Sequence, residues 1–105
     1  MPESIQIEDI EEMRRREGID DVQLRDGVRN LKAGSFVRLT FLPEGKPSGE
    51  TLAVRIMRIA RGRYYGQLAQ RAVSAGLAEL RPGVPVSFTA AHIHSLGRAL
   101  SPSRR

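Results

Sequence analysis

A chain of 105 residues with a formal net charge of +5 and no cysteine is long enough for one domain with a modest core. The lack of cysteine excludes disulfides, thiolate zinc sites and cysteine nucleophiles, and it suits a reducing compartment. No apolar run approaches the roughly 18 residues of a membrane span, and the acidic start MPESIQIEDIEEM does not match a signal peptide. We therefore expect a cytoplasmic protein that makes no contact with a membrane.

Charge is divided unevenly along the chain. Residues 1–31 carry nine acidic side chains against five arginines, a net charge of −4. Residues 32–105 carry three acidic side chains against twelve Lys and Arg, a net charge of +9. This division predicts an acidic arm over residues 1–33 and a basic body over residues 34–96. A basic body attracts polyanions, and we expect the acidic arm to compete with them for its surface.

Two short helices are predicted in the arm. Residues 7–17 have apolar side chains three apart, and their acidic residues precede their arginines, an order that the helix dipole favours. Gly18 is the expected end of this helix. Asp20 or Asp21 is the expected cap of a second helix, which extends to about Lys32.

From residue 36 the apolar period changes to two, which is typical of β-strands. The predicted strands cover residues 36–42, 52–59, 64–69 and 86–93. A bulge is expected near Met57–Arg58, because Ile59 falls out of the alternation. Gly62 marks a hairpin connection, and Gly66 inside a strand indicates a close approach of two backbones. Between the last two strands we predict a loop with one helical turn near Leu77–Leu80.

The alternation also predicts which side chains face the core. The expected core residues are Val37, Leu39, Phe41, Leu52, Val54, Ile56, Leu68, Val86 and Phe88, together with Ala90 and, after a phase shift, Ile93. All of them follow residue 34, so the barrel is expected to fold without the first helix of the arm. Arg38, Thr40 and Arg55 are expected on the opposite, outward face.

These elements together predict an α+β protein. An N-terminal arm of two short helices is followed by a small antiparallel SH3-like β-barrel of four to five strands. We expect the helices to cover an open edge or end of the barrel. Residues 97–105 are polar and basic, and we predict that they form a disordered tail.

The apolar and glycine positions of the body form an ordered set of motifs. These are Gly34-x-x-Val37-x-Leu39-x-Phe41, Tyr65-Gly66-x-Leu68, Leu80-x-x-Gly83-x-x-Val86-x-Phe88 and His92-Ile93. Over about residues 34–96 this order resembles a family of small uncharacterised bacterial β-barrel domains. The resemblance implies the barrel and implies no activity.

The residues offer little for catalysis or for metal binding. His92 and His94 are the only histidines, and at positions i and i+2 of a strand both could reach one metal ion. A third ligand is missing, so we predict neither a metal site nor another cofactor. The serines of the body lie in no nucleophile-elbow pattern, and nothing indicates that any two of its three carboxylates converge. We therefore expect no enzymatic activity.

The arginines of the body are the stronger signal. The candidate binding residues are Arg38, Arg55, Arg58, Arg61, Arg63 and Tyr65. Arginine suits phosphate contacts, although codon bias in a G- and C-rich genome would give the same composition. We rank a protein-interaction or adaptor module first, including a homodimer through the arm, and a nucleic-acid-binding barrel second. An apolar patch on the arm favours the first hypothesis, and a contiguous arginine patch beside Tyr65 favours the second.

Overall fold

The computed structural model describes residues 4–46 and 48–97, which form two α-helices and a single antiparallel sheet. The helices are α1 (Ile10–Glu17) and α2 (Val22–Val28). The strands are β1 (Ile5–Ile7), β2 (Phe36–Pro43), β3 (Glu50–Ala60), β4 (Arg63–Leu68), β5 (Pro85–Thr89) and β6 (Ile93–Leu96). A 3-10 helix over Ala90–His92 joins β5 to β6. No helix within the described residues is long and apolar enough to cross a membrane.

The sheet curls until it nearly closes on itself. Its strands follow the order β1-β2-β3-β4-β5, and β6 returns to pair with β2. β1 pairs with residues 41–43 of β2, whereas β6 pairs with residues 37–39. The predicted class, a small α+β protein with a barrel-shaped antiparallel sheet, is confirmed. The described residues form six strands rather than four to five, because the arm contributes β1 and the predicted last strand is divided in two.

The arm begins with a strand, not with a helix. Residue 7 was the expected helix start, but it belongs to β1, whose residues hydrogen-bond to the edge of β2. Helix α1 starts after Asp9, whose side chain accepts a hydrogen bond of 2.9 Å from the amide of Glu12. Gly18 ends the helix as predicted, in the left-handed conformation with φ 71°.

Helix α2 is capped as predicted but is shorter. The Asp21 side chain accepts a hydrogen bond of 2.9 Å from the amide of Leu24, and the helix ends at Val28 instead of Lys32. Leu24 and Val28 are half-buried and pack against the core cluster. Both helices lie against β6, and α1 also contacts the 3-10 helix, so the arm is packed onto the body.

The core confirms the alternation that the sequence predicts for the strands. The buried residues include Val37, Leu39, Phe41, Leu52, Val54, Ile56, Leu68, Val86, Phe88 and Ile93. The expectation that the whole core follows residue 34 is wrong. Ile5 belongs to the core cluster, and Ile10 is only 1% exposed on the buried side of α1. Pairing of β1 with β2 brings these arm residues to the body.

The loop between β4 and β5 also supplies core residues. Leu77 and Leu80 are fully buried, and the amide of Leu80 donates a hydrogen bond of 2.9 Å to the Leu77 carbonyl. The expected helical turn is therefore a single hydrogen-bonded turn that holds two leucines under the sheet. Gly66 on β4 makes the predicted close approach, because a Cβ atom there would overlap the carbonyl oxygen of Arg55.

Two facing predictions are wrong. Thr40 is buried, not solvent-facing, and its hydroxyl lies 2.8 Å from the hydroxyl of Thr51 on β3. Ala90 is exposed, because the chain leaves β5 there and turns through the 3-10 helix. This turn supplies the phase shift that brings Ile93 into the core. The predicted tail over residues 97–105 lies outside the described residues except for Gly97.

Candidate nucleic-acid interface

A β-bulge in β3 decides which arginines share a face. The register between β3 and β4 shifts between Ile56 and Arg58, so Met57 is the extra residue. Regular alternation would turn Met57 outward and Arg58 towards the core. The bulge instead places Arg58 directly opposite Tyr65, on the outward side. The sequence predicted this bulge near Met57–Arg58, and the structure confirms it.

Two rows of side chains cross the outward side of β3, β4 and β5. Arg55 lies opposite Gln67, Arg58 opposite Tyr65, and Tyr65 opposite Ser87. Arg63 precedes Tyr65 by two residues on β4, so both side chains lie on the same face of the strand. The Nη2 atom of Arg63 lies 3.4 Å from the Ser87 hydroxyl. We call this surface the arginine face; its members are Arg55, Arg58, Arg63, Tyr65, Gln67 and Ser87. Directly opposed residues have Cβ atoms roughly 5 Å apart, so the face is contiguous.

Tyr65 lies at the centre of the arginine face, and Arg58 covers it. The guanidinium carbon of Arg58 is 4.2 Å from the centroid of the Tyr65 ring, within the range of a cation–π contact. The ring is half-buried, whereas Arg58 is exposed. The contact holds the Arg58 guanidinium over the Tyr65 ring while the side chain stays exposed to solvent.

Within the part of the chain that the structure describes, the arginines of the arginine face form no ion pair. Among residues 4–46 and 48–97, the ion pairs join Arg15 to Glu11, Arg25 to Asp20 and Arg29 to Asp26. All three lie within the arm, and none of them involves an arginine of the sheet. Three of the described acids of the arm therefore pair with arginines of the arm, and within the described residues no ion pair joins the arm to the basic surface. The competition of the arm for that surface stays a prediction.

The two other candidate arginines lie beside the arginine face. Arg61 is at the tip of the β3–β4 hairpin, where Arg61 and Gly62 both have positive φ angles, 54° and 77°. Positive φ at both turn positions is typical of a tight two-residue hairpin. Arg38 lies on β2 opposite Ala53, and its Nη1 atom donates a hydrogen bond of 2.7 Å to the Leu96 carbonyl. Its guanidinium is thus directed to the seam between β2 and β6.

The two histidines do not share one strand face. His92 is the last residue of the 3-10 helix, and its Nδ1 atom accepts a hydrogen bond of 3.0 Å from the amide of Thr89. His94 lies in β6, and its Nδ1 atom is 3.1 Å from the hydroxyl of Ser95. Within the described part of the chain, no group of three or more His, Cys, Asp or Glu residues could hold a metal ion.

Charges near His92 act on it in opposite directions. Burial lowers the pKa of His92, and the positive charge of Arg63 lowers it further. The carboxylate of Asp9 in the arm raises it, but the net shift is downward. Neutral His92 is the form that can accept the amide hydrogen of Thr89 through Nδ1. This histidine therefore serves as a cap for the 3-10 helix.

The helices of the arm line a concave feature. A groove of about 490 Å³ runs between α1, α2 and the 3-10 helix, and we call it the arm groove. Its lining residues include the apolar Ile19, Leu24, Val28, Ala90, Ala91 and Ile93. Much of its charged lining is engaged within the protein, since Arg15 pairs with Glu11, Arg25 with Asp20, and Arg14 donates to the His94 carbonyl. The arm groove therefore combines apolar surface with charged side chains, several of which already have partners within the protein.

Sequence reasoning missed part of this arrangement. It named the arginines and Tyr65, but not Gln67 and Ser87, which the register places on the same face. The alternation of β4 and β5 does predict that the side chains of Gln67 and Ser87 point outward. Their position beside Arg55 and Arg63 depends on strand pairing, which the alternation does not specify.

Comparison with known proteins identifies no relative of this chain. No family model matches the chain, and neither a curated protein nor a solved structure matches it. The chain is therefore characterised by its own fold and surface. It is a small α+β protein with a nearly closed antiparallel sheet, an arginine face on β3, β4 and β5, and an arm groove between the helices and the 3-10 helix.

Proposed function

We propose that the protein is a small binding module without enzymatic activity, and that its arginine face binds the phosphate backbone of nucleic acids. The observation that carries this proposal is the contiguous placement of Arg55, Arg58 and Arg63 around Tyr65. A contiguous patch of arginines beside Tyr65 is the arrangement that favours nucleic-acid binding, whereas codon bias alone would scatter the arginines over the surface. Arg38 is engaged with the Leu96 carbonyl and has a structural role in the proposal.

The chemistry of the arginine face suits phosphate better than it suits bases. Its three arginines are exposed, and they have no carboxylate partner among the described residues. Guanidinium groups bind phosphate oxygens in a bidentate geometry, and Gln67 and Ser87 add further hydrogen-bond donors. Such contacts release counterions and carry little sequence information, so binding is expected to be salt-dependent and nearly independent of sequence.

The test is a salt titration of binding to a labelled 20-base-pair duplex of mixed sequence. We expect the logarithm of the association constant of the wild-type protein to fall steeply with the logarithm of the salt concentration. Each phosphate contact adds roughly 0.9 to this slope, so the triple variant R55Q/R58Q/R63Q should flatten it by roughly three units.

A matched control separates the arginine face from the overall charge. The variant R15Q/R25Q/R29Q removes the same three charges from the arm, where each arginine has a carboxylate partner. We expect this control to retain most of the wild-type slope. Equal losses in the two triple variants would mean that net charge alone governs binding. Absence of binding at low salt to DNA or RNA would remove the nucleic-acid proposal.

A second candidate function is protein interaction through the arm, which the sequence placed first. The arm groove favours it, together with Ile19 and Val22, which are 50% and 52% exposed. The simplest partner is a second copy of the chain, which gives a homodimer through the arm. Apolar side chains of this size at the surface are typical of interaction sites when they lie together.

The measurement for this second candidate is the molar mass in solution. Light scattering after size-exclusion chromatography should give about twice the chain mass of 11.7 kDa if the arm dimerises. Ile19→Asp should restore the monomer, whereas Val73→Asp, at an exposed position outside the arm groove, should leave the dimer intact. A monomer at all concentrations would remove the homodimer.

The proposal also covers the type of barrel, the cellular location and the family resemblance. We infer an SH3-like barrel from the short 3-10 helix that joins the last two strands and from the return of β6 to β2. The absence of cysteine supports a cytoplasmic location. The motifs over residues 34–96 support the resemblance to small uncharacterised bacterial barrel domains, and that resemblance predicts no partner.

A further inference from the structure

We propose that the arginine face is specific for the duplex form of nucleic acids, and that Tyr65 positions Arg58 instead of stacking on a base. This inference rests on the proposed function, since it names the form of nucleic acid that the same face binds. The contact between the Arg58 guanidinium and the Tyr65 ring carries it.

The ring that a single strand would need is already occupied. Proteins that bind single strands without sequence preference stack successive bases on exposed aromatic side chains. On the arginine face, the Arg58 guanidinium lies over the Tyr65 ring at 4.2 Å from the centroid. A base could stack on this ring only after displacing Arg58, which would remove one of the three phosphate ligands.

Three of the four other aromatic side chains lie in the core. Phe41 and Phe88 are fully buried, and Tyr64 stacks on Phe88 with ring centroids 5.3 Å apart. Phe36, which the register places opposite Arg55, is half-buried and is the one alternative ring beside the arginine face among the described residues. Since Phe36 is a single ring at the edge of the face, we expect recognition to depend on charge and hydrogen bonds, and Phe36→Leu tests this.

A surface that binds phosphates but stacks on no bases is expected to bind a duplex more tightly than a single strand. Double-stranded DNA carries one phosphate charge per roughly 1.7 Å of axis, and each contact contributes a salt slope of roughly 0.9, against roughly 0.7 for a single strand. Binders of single strands offset their weaker electrostatic term by stacking. With Tyr65 covered by Arg58, that compensation is missing here.

The experiment compares a 20-nucleotide strand with its own duplex, in DNA and in RNA, by fluorescence anisotropy at low salt. We expect each duplex to bind at least about fivefold tighter than its strands, with a steeper salt slope. The DNA and RNA arms distinguish the two sources of the same phosphate chemistry. A duplex preference in both arms supports the inference, and its absence in either arm would overturn it.

Substitutions at Tyr65 test its positioning role. Tyr65→Phe keeps the ring and should bind the duplex like the wild type. Tyr65→Leu should weaken duplex binding about threefold, the loss expected when an exposed cation–π contact no longer orients Arg58. In an R58Q background, Tyr65→Leu should cause no further loss, because the two residues act as one unit. Circular dichroism checks that each variant is folded. R58Q alone removes the same cation–π contact by changing the exposed Arg58 and leaves the half-buried Tyr65 in place.

Several results would overturn the inference. Tighter binding of single strands, lost in Tyr65→Leu or Phe36→Leu and kept in Tyr65→Phe, would show that a ring stacks on bases. Equal duplex affinity of Tyr65→Leu and the wild type would show that Arg58 needs no positioning. Both results leave phosphate binding by the arginine face intact, whereas a wild-type protein that binds neither form refutes the proposed function itself.

Discussion

Truncation of Ile10 tests whether the acidic arm is part of the folded unit. Ile10 is the buried residue of α1, with 1% exposure, and α1 packs against the 3-10 helix and β6. Replacement of a fully buried Ile by Ala costs about 2–5 kcal/mol, because the lost transfer free energy adds to that of the cavity. A domain of this size has only about 5–15 kcal/mol of stability in total. Ile10→Ala should therefore remove a large part of it.

The expected size of the effect can be graded by a second variant. Ile10→Val removes one methylene group and should cost about 0.5–1.5 kcal/mol. One kcal/mol corresponds to about 4 °C or more in Tm for a domain of about 100 residues. We therefore expect a decrease in Tm of about 10–20 °C for Ile10→Ala and of a few degrees for Ile10→Val.

Urea and thermal unfolding followed by circular dichroism will measure these differences. Val22→Ala is the control, because Val22 is 52% exposed and should change the free energy of unfolding by less than about 0.5 kcal/mol. If Ile10→Ala also changed stability by less than about 0.5 kcal/mol, α1 would not belong to the cooperative unit. In that case the cooperative unit would consist of the sheet, with Ile5 of β1 in its core, and α1 would be peripheral to it.

Three further predictions concern the body. Phe88→Ala should destabilise the fold by about 3–5 kcal/mol, because Phe88 is fully buried and stacked on a core tyrosine. Burial lowers the pKa of His92, so the unfolded chain binds more protons just below its ordinary pKa of about 6.5. The free energy of unfolding should therefore fall as pH decreases through that range, and His92→Asn should remove this slope. Burial alone would raise the pKa of Glu50. The hydrogen bonds that its carboxylate accepts from Ser74 and from the Val73 amide outweigh this effect, so the pKa is lowered. Glu50→Gln should accordingly lose stability at neutral pH but little at acidic pH, where Glu50 itself is protonated.

Each of these results has a contrary outcome. A negligible loss in Phe88→Ala would mean that the inward phase of β5 is assigned wrongly. A pH slope that survives in His92→Asn would belong to another group, since the Asn side chain can still accept the Thr89 amide hydrogen without titrating. Equal stability of Glu50→Gln and the wild type at both pH values would show that the charge of Glu50 does not hold the loop after β4.

The sequence by itself determined the elements that depend on local pattern. Period-two alternation located β2, β3 and β4, and a break in that alternation located the bulge at Met57. Gly18 was predicted as a helix end and Asp20 or Asp21 as a helix cap, because capping is decided by side chains within one turn, and the structure selects Asp21. The outward direction of Arg55 and Tyr65 was also readable from the alternation, whereas that of Arg58 depends on the bulge.

Only the tertiary structure decided how those elements meet. Residues 5–7 are too few for a periodic signal, and they form β1 because the edge of β2 offers backbone hydrogen bonds to pair with. The predicted last strand breaks at Ala90, since the chain must turn there for β6 to reach β2. Likewise, the stacking of Arg58 on Tyr65 and the use of Arg38 at the β6 seam depend on long-range register. Pairing between distant strands is a property of the closed sheet, and no local pattern encodes it.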